Sequence, residues 1–376
     1  MDREGGFKAL GFLDEASGVS QLLHAAMSAG YASGFVATWG PPHRPFAVAC
    51  GRRGLGAGPV DQGVWFDLAS LTKPLVVTTL ALLARRQGLS LEDPLRRYLP
   101  ELHHCPWGSV TVSQCLTHTA GFPPWEPLYA GGSLSREGYL EALGSVPTAY
   151  PPGTSLAYSC LGFIAVGMVL ERIGKASLDS LFRREVLEPL GLGSELGFRP
   201  ALSTPVAFGE KRFFVEERLC RQRGISSQPP PHLSDVWSCD DGNARGLGGV
   251  AGNAGLFGTA RGVLGLAAEY FPGGGQLLRG EEAALAVQNW TSGHSQARGL
   301  GWLLAITEGS AAGPALSPSA FGHTGFTGTS VWVDPERGAI FVLLGNRLHP
   351  GGRAPDFHPL RRRFHTLAVA HLRHMG

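Results

Sequence analysis

The chain has 376 residues, of which 43% are hydrophobic and 16% are charged, and its formal net charge at pH 7 is +2. This composition is typical of a globular protein with an ample core and excludes an intrinsically disordered chain. The small net charge, spread without long runs of one sign, argues against a dedicated surface for nucleic acid.

The first part of the chain predicts one helix followed by short strands. Residues 17–31 have the spacing of an amphipathic helix, and the runs 34–39, 45–50 and 64–68 resemble strands. The stretch 75–84 is apolar on every side, which predicts a helix buried in the middle of the molecule.

The middle of the chain is predicted to be helical, with long loops rich in glycine and proline between the helices. Residues 90–93 resemble the start of a helix. The other predicted helical segments are 111–117, 136–144, 155–174 and 177–187.

Strand character returns near the C-terminus. A closing helix is predicted for residues 358–373, with the three consecutive arginines 361–363 on its solvent-exposed face. Because strands come early and late, we expect one sheet that is assembled from both ends of the chain, with the helical part inserted between them. The late strands are predicted at 299–306, 321–324, 327–333 and 338–344.

The six cysteines show no regular spacing and no Cys-x-x-Cys pair, so they predict neither a zinc site nor a disulfide framework. The N-terminus lacks the basic and then apolar pattern of a secretory signal. The longest apolar stretch, 161–170, is too short to span a bilayer. We therefore expect a cytoplasmic protein that binds no metal, no cofactor, no nucleic acid and no membrane.

Lysine is scarce in this chain, yet one lysine follows a serine by three positions. Only four of the 32 cationic residues are lysines, and Lys73 stands three residues after Ser70 at the start of the predicted buried helix. A desolvated lysine amine can lose its proton and act as a base, which an arginine guanidinium cannot do. Residues three apart on a helix are neighbours, so Lys73 would reach the hydroxyl proton of Ser70. The backbone N–H of Ser70 would face the attacked carbonyl oxygen.

Pro74 conflicts with a regular helix at this point. It is tolerated only in a first turn, and the residue before a proline is biased away from helical angles. We therefore expect either a distorted first turn or a tertiary structure that overrides the bias.

Two further groups could complete such a site. Tyr158 lies near the beginning of the predicted helix 155–174, and a buried phenol beside a lysine can pass a proton to a leaving group. His323 lies on a late strand and is followed by Gly325, which would let a substrate approach the strand edge. The N–H of Phe326 could be a second oxyanion donor. Taken singly, the tyrosine and the histidine are more simply explained as structural residues.

Seen together, these motifs resemble those of the serine β-lactamase and penicillin-binding-protein superfamily, in the branch that holds class C β-lactamases, DD-peptidases and family VIII esterases. The order of Ser-x-x-Lys, Tyr-x-Cys and His-Thr-Gly, and the separations between them, fit that branch. The segments 116–121, 252–257 and 322–329 are similar to its connecting segments. The resemblance covers approximately residues 15–372.

The resemblance implies an α/β (α+β) fold in which an antiparallel sheet, flanked by helices, is built from both chain ends. Residues 1–70 and 255–376 would form this discontinuous sheet domain, and residues 71–254 would form an inserted, mainly helical domain. The active site would lie at the junction of the two.

The resemblance also implies roles for the motif residues. Ser70 would be the nucleophile, and Lys73 and Tyr158 would be a shared acid/base pair, although the sequence leaves open which of them takes the first proton. His323 would face the substrate. The other residues of the substrate site and oxyanion hole would be Cys160, Thr324, Gly325 and Phe326.

Two positions depart from the family pattern. Cys160 stands where the family usually has asparagine, and a thiol is a poor substitute for an amide that steadies the lysine and binds an acyl-amide group. His323 stands where β-lactamases of this branch commonly have lysine, and a mostly neutral imidazole attracts a β-lactam carboxylate less well. DD-peptidases and several esterases carry histidine there, so the change counts against β-lactams and not against hydrolysis in general.

We therefore expect a serine hydrolase that forms an acyl-enzyme on Ser70 and acts on small carboxylic esters of modest acyl size. The alternative within the family is a D-amino-acid peptidase or amidase, or a weak class C-like β-lactamase. A catalytically idle relative that serves as a scaffold or binding protein is a third alternative. The complete set of Ser70, Lys73 and Tyr158 argues against it.

Overall fold

The structure, a computed structural model, describes residues 18–131, 133–210, 214–226, 230, 232–349 and 355–375. The first residue of the helix predicted at 17–31 lies outside this range, and the helix itself is present. The helices of the described residues are α1 (Gly18–Ser28), α2 (Thr79–Arg85), α3 (Val112–Leu116), α4 (Arg136–Gly144), α5 (Leu161–Gly174), α6 (Leu178–Phe182), α7 (Glu188–Leu190), α8 (Phe214–Gln222), α9 (Gly242–Gly246), α10 (Ala260–Ala267), α11 (Gly280–Val287) and α12 (Phe357–Met375).

Strands from both ends of the chain form one antiparallel sheet, as the sequence predicted. Its order is β2-β1-β9-β8-β7-β6, and a smaller sheet has the order β3-β5-β4. The strands are β1 (Gly34–Gly40), β2 (Phe46–Gly51), β3 (Phe66–Asp67), β4 (Leu196–Phe198), β5 (Leu256–Gly258), β6 (Leu303–Leu304), β7 (Phe321–Thr324), β8 (Ser330–Asp334) and β9 (Ala339–Gly345).

Helices cover both faces of the larger sheet. On β1, Phe35 and Trp39 pack into one apolar cluster with Phe364 of α12, whereas Val36 points into the main core with Val263 of α10. Successive side chains of a strand point to opposite faces, so both faces of β1 are apolar and every residue of the strand is buried. The prediction of an antiparallel sheet flanked by helices is therefore confirmed.

The predicted buried helix lies in the main core and begins irregularly. A 3₁₀ turn at Ala69–Leu71 is followed by a π-helical segment, Lys73–Thr78, and by α2, and every residue of 71–84 is buried. The conflict raised by Pro74 is thus resolved by distortion of the first turns, because regular α-helix begins only at Thr79.

Several local predictions are wrong. Residues 90–93 do not start a helix but form a turn in which the Ser90 N–H donates to Asp93 Oδ2 at 2.9 Å. The helix predicted from 155 begins at Leu161, and the strand predicted at 299–306 is reduced to β6. Strand character in the middle of the chain was not predicted, yet β4 and β5 are present there.

The closing helix is present as α12, but its arginines are not all exposed. Arg361 is buried, with 4% of its surface accessible, and Arg363 is exposed. No helix of the described residues is both long and apolar enough to cross a membrane. The domain boundaries near residues 70 and 255 stay a prediction.

Candidate active site

The chain reaches Ser70 through a strained turn. After β3, Ala69 adopts a left-handed backbone with φ of 47°, a conformation that residues with a side chain rarely adopt. Its N–H donates to Asp67 Oδ1 at 2.9 Å, and Asp67 is buried. Strain of this kind persists only where the surroundings enforce it, and it is frequent at functional sites. Ser70 is partly exposed at the end of this turn.

Lys73 lies directly beside the hydroxyl group of Ser70. Its side chain is fully buried, and its Nζ donates to Ser70 Oγ at 3.0 Å and to the backbone oxygen of Asn253 at 3.0 Å. The Sγ atom of Cys160 is 3.6 Å from the same nitrogen. The structure therefore brings together three of the residues singled out from the sequence, and it adds Asn253 to them.

Burial and nearby acidic groups act on the pKa of Lys73 in opposite directions. Burial alone would lower its pKa, but the negative charges that Cys160, Tyr158 and Asp241 can carry raise that pKa above its ordinary value. Burial raises the pKa of the Cys160 thiol, so this group supplies no such charge at neutral pH. The contact of Lys73 with Ser70 is present, and the role of Lys73 as a base stays a prediction.

Tyr158 lies in the loop before α5, with its ring beside Lys73. The Lys73 Nζ is 5.1 Å from the centroid of the phenol ring. The loop is fixed by hydrogen bonds from Ser159 Oγ to the Pro123 oxygen at 2.7 Å and from the Cys160 N–H to the Pro124 oxygen at 3.1 Å. Tyr158 is thus held at the site by hydrogen bonds of the two residues that follow it.

His118 packs against Tyr158 from behind, with 4.6 Å between the ring centroids. It is buried, and its Nδ1 accepts a hydrogen bond of 3.1 Å from the Ser159 N–H, so Nε2 carries the proton of the neutral ring. Burial, followed by the charges of Arg298 and Lys73, holds the pKa of His118 well below its usual range. His118 therefore supports the Tyr158 loop as an uncharged acceptor.

His323 lies on β7 and faces Tyr158, with ring centroids 5.9 Å apart. Its Nδ1 donates to the backbone oxygen of Thr324 at 2.9 Å. Burial and the charges of Lys73 and Arg298 hold the pKa of His323 well below its usual range. The imidazole is thus neutral at pH 7.

The loop after β7 is attached to the segment that leads to Ser70. Thr327 Oγ1 donates to the Asp67 oxygen at 2.6 Å, and Thr329 Oγ1 donates to the Leu68 oxygen at 3.2 Å. A Cβ atom on Gly325 would lie 2.0 Å from Thr329 Oγ1 and 2.7 Å from the Leu68 oxygen, so the glycine is required by this close packing. Phe326, at the tip of the loop, is 48% exposed.

Four residues of the site were not predicted from the sequence: His118, Asp241, Asn253 and Arg298. Asn253 Nδ2 donates to Asp241 Oδ2 at 3.0 Å, and Arg298 lies with its Cζ 5.5 Å from the centroid of the Tyr158 ring. The segment 252–257 contains Asn253 and was recognised only as a family-like connection. Arg298 carries no local signal, because nothing near it in the sequence indicates that it is buried. Among the described residues, no group of three or more His, Cys, Asp or Glu side chains could hold a metal ion.

Comparisons with known proteins agree with this arrangement. A family model described as Beta-lactamase matches residues 21–363. A protein of Escherichia coli strain K12 named "Putative D-alanyl-D-alanine carboxypeptidase" is 29% identical over 79% of this chain and 72% of its own length. The similarly named protein of Salmonella agona strain SL483 is 28% identical over 78% of this chain and 72% of its own length.

Solved structures show the same fold at lower sequence identity. EstCE1, described as a hydrolase with promiscuous acyltransferase activity, superposes with a TM-score of 0.71 at 23% identity, covering 93% of this chain and 97% of its own. A class C β-lactamase superposes with a TM-score of 0.69 at 19% identity, covering 94% of each chain.

Proposed function

The chain belongs to the β-lactamase family and is a serine hydrolase, and from this premise we propose that Ser70 is its nucleophile. The observation that carries the proposal is the hydrogen bond of 3.0 Å between Lys73 Nζ and Ser70 Oγ, with the lysine fully buried. A serine hydroxyl is a weak nucleophile and needs an adjacent group to take its proton. Lys73 and Tyr158 are the groups we assign to this task.

In the proposed reaction, Ser70 Oγ bonds to the carbonyl carbon of the substrate while its proton passes to the Tyr158 oxygen. Because the pKa of Lys73 is raised above its ordinary value, we assign the role of first acceptor to Tyr158 in its phenolate form and that of electrostatic partner to Lys73. The proton then moves to the leaving oxygen or nitrogen, which departs with the bonding electrons. Water next attacks the acyl-enzyme, releases the acid and restores Ser70.

We assign the oxyanion hole to the backbone N–H groups of Ser70 and Phe326. The hydrogen bonds from Thr327 and Thr329 to residues 67 and 68 support this assignment, because they hold the two segments side by side. Preorganised N–H donors of this kind stabilise the charge that develops in the transition state. Cys160, Thr324 and Gly325 would line the substrate site around these donors.

We propose small carboxylic esters of modest acyl size as the substrates. Neutral His323 contributes no positive charge for a substrate carboxylate, and Cys160 offers no amide to bind an acyl-amide group. Both features favour an ester over a β-lactam. EstCE1, a hydrolase described as having promiscuous acyltransferase activity, has the same fold.

A D-amino-acid carboxypeptidase is the second candidate. It is favoured by the name of the relatives that match 78–79% of this chain at 28–29% identity. In such an enzyme the same residues would open an amide bond, with an amine as the leaving group.

The rates on three substrates separate these candidates. We expect kcat/KM to be highest for p-nitrophenyl butyrate, lower for a D-alanyl-D-alanine peptide and lowest for nitrocefin. The Ser70→Ala variant should lose all three activities and should fail to gain mass with a fluorophosphonate probe. Nitrocefin as the best substrate would overturn the ester assignment. A folded wild-type protein that gains no mass would overturn Ser70 as nucleophile and favour a non-catalytic relative.

A further inference from the structure

Arg298 is a buried cation without a carboxylate partner. It is 5% exposed, its Nε donates to Gln296 Oε1 at 2.8 Å, and its Nη1 is buried without a hydrogen-bond partner. None of the ion pairs between described residues includes Arg298. Burial lowers its pKa to about 10, so the group is still charged at neutral pH. An unpaired buried charge is costly, and a nearby group that becomes negative would compensate for it.

Tyr158 is the group that can supply this negative charge. The guanidinium Cζ of Arg298 lies 5.5 Å from the centroid of its ring, and a negative charge on the phenol would act on Arg298. The ammonium of Lys73 lies over the same ring at 5.1 Å. Two buried cations from different parts of the chain therefore meet at one phenol.

The other titratable groups around Tyr158 do not change this balance. His118 behind the ring and His323 in front of it are neutral, because burial and the two cations hold the pKa of each well below its usual range. Cys160 is an uncharged thiol at neutral pH, because burial raises its pKa. Asp241 acts on Lys73 and is itself hydrogen-bonded to Asn253.

We propose that Arg298 is a positioning residue that acts through Tyr158: together with Lys73 it stabilises the phenolate oxygen, which accepts the hydroxyl proton of Ser70. The proposal rests on the function proposed above. The proton that leaves Ser70 Oγ converts the phenolate to a phenol, and it is returned when the leaving group departs, so Tyr158 is again an anion at the end of acylation. Arg298 takes no proton itself and contributes charge throughout.

The decisive measurement is the pH profile of kcat/KM on p-nitrophenyl butyrate, from about pH 6 to about pH 10. Arg298→Gln removes the charge of the side chain and leaves a shorter, uncharged amide that can still form hydrogen bonds. We expect this variant to move the acidic limb of the profile upward by about one pH unit. The rate should therefore fall about tenfold at neutral pH and approach that of the wild type in alkali. Arg298→Lys keeps the charge and should restore the wild-type limb.

A second variant tests the same charge without removing the arginine. Gln296 Oε1 now accepts a hydrogen bond from Arg298 Nε. Gln296→Glu replaces this amide with a carboxylate, whose negative charge should offset the positive charge of the guanidinium. We expect its profile to move in the same direction as that of Arg298→Gln, by a smaller amount. Arg363→Gln, an exposed position on α12, serves as the matched control and should leave the profile unchanged.

A purely structural role gives a different result. If Arg298 only supports the fold, Arg298→Gln lowers kcat/KM by the same factor at every pH, and Gln296→Glu leaves the acidic limb of the profile unchanged. This outcome overturns the proposal. In the Tyr158→Phe background, Arg298→Gln should have no further effect on the limb, and an additive effect would also contradict the proposal. Failure of the proposed function is recognised separately, because Ser70→Ala would then retain the wild-type rate.

Discussion

The guanidinium of Arg361 donates a hydrogen bond of 3.0 Å to the backbone oxygen of Gly325, which lies at the start of the candidate substrate loop. The same Nη2 also donates to the Thr329 oxygen at 3.0 Å, at the end of that loop. Burial lowers the pKa of Arg361 to about 9, and the side chain remains charged at neutral pH. The closing helix thus holds both ends of the loop that follows β7.

Replacement of Arg361 by methionine should weaken both the fold and the activity. Hydrogen bonds to a charged group contribute about 1.5–3 kcal/mol each, and relief of the buried charge offsets part of their loss. We expect the free energy of unfolding in urea to fall by about 1–3 kcal/mol. We also expect kcat/KM to fall, because the loop that carries Phe326 is released.

Arg363→Met on the same helix is the matched control, since Arg363 is exposed. Its free energy of unfolding should stay within about 0.5 kcal/mol of that of the wild type. An equal loss of stability in the two variants would show that the hydrogen bonds from Arg361 to the loop do not contribute to the free energy of unfolding.

Gly325→Ala should be destabilising for steric reasons. The new methyl group would lie 2.0 Å from Thr329 Oγ1 and 2.7 Å from the Leu68 oxygen, and a backbone oxygen cannot move aside as a side chain can. We expect a loss of about 1–3 kcal/mol in urea unfolding, together with a large loss of kcat/KM, because Leu68 lies two residues before Ser70. Gly193→Ala meets no atom within 4 Å and should be nearly neutral. Wild-type turnover in Gly325→Ala would contradict the close packing seen here.

The sequence predicted those features that depend on neighbours along the chain. Helix α4 and strand β7 have the same bounds in the structure as in the prediction, 136–144 and 321–324, because their patterns are local. The contact between Ser70 and Lys73 also follows from a spacing of three residues in one helical segment. The antiparallel sheet from both chain ends followed from the order of the strands.

The features that were missed depend on contacts between distant segments. The three residues of β4 form a strand because they pair with β5, about sixty positions later, and so short a run has no periodicity of its own. Arg361 was assigned to an exposed helix face, yet its partners lie 32 and 36 positions away. The pKa of Lys73 likewise depends on Tyr158 and Cys160, which lie far from it in the sequence.

Lys73→Arg should nearly abolish acylation. The guanidinium keeps a positive charge beside Ser70 but is larger than the ammonium in a fully buried space, so it should displace the Ser70 hydroxyl and the Tyr158 ring from their positions. We expect the rate of labelling by a fluorophosphonate probe to fall by about 10²–10⁴-fold. Lys175→Arg, at an exposed position, should label like the wild type. Rapid labelling of Lys73→Arg would mean that any positive charge suffices at this position and would contradict the need for the ammonium at its place beside Ser70.

The stability of the protein should fall as the pH rises from about 4.5 to about 8, and Glu216 should be one cause. Burial raises the pKa of Glu216 to about 8, from an ordinary value of 4.5. The folded protein therefore binds this proton more tightly than the unfolded chain, and the free energy of unfolding decreases as the pH rises between these two values. Burial also raises the pKa of Asp67 to about 6 and that of Asp240 well above its usual range, so the contribution of Glu216 is obtained by comparison with a variant that lacks its carboxyl group.

Glu216→Gln should reduce this pH dependence. Glu216 now accepts hydrogen bonds of 2.8 Å from the Gly242 N–H and from Tyr129 Oη. The amide of the variant resembles the protonated acid, because its oxygen can accept from the Gly242 N–H and its nitrogen can donate to Tyr129 Oη. Between about pH 6 and about pH 8, we expect the wild type to lose at least about 1 kcal/mol more than the variant in urea unfolding. Parallel pH profiles for the two proteins would mean that Glu216 is already ionised in the folded state at pH 6.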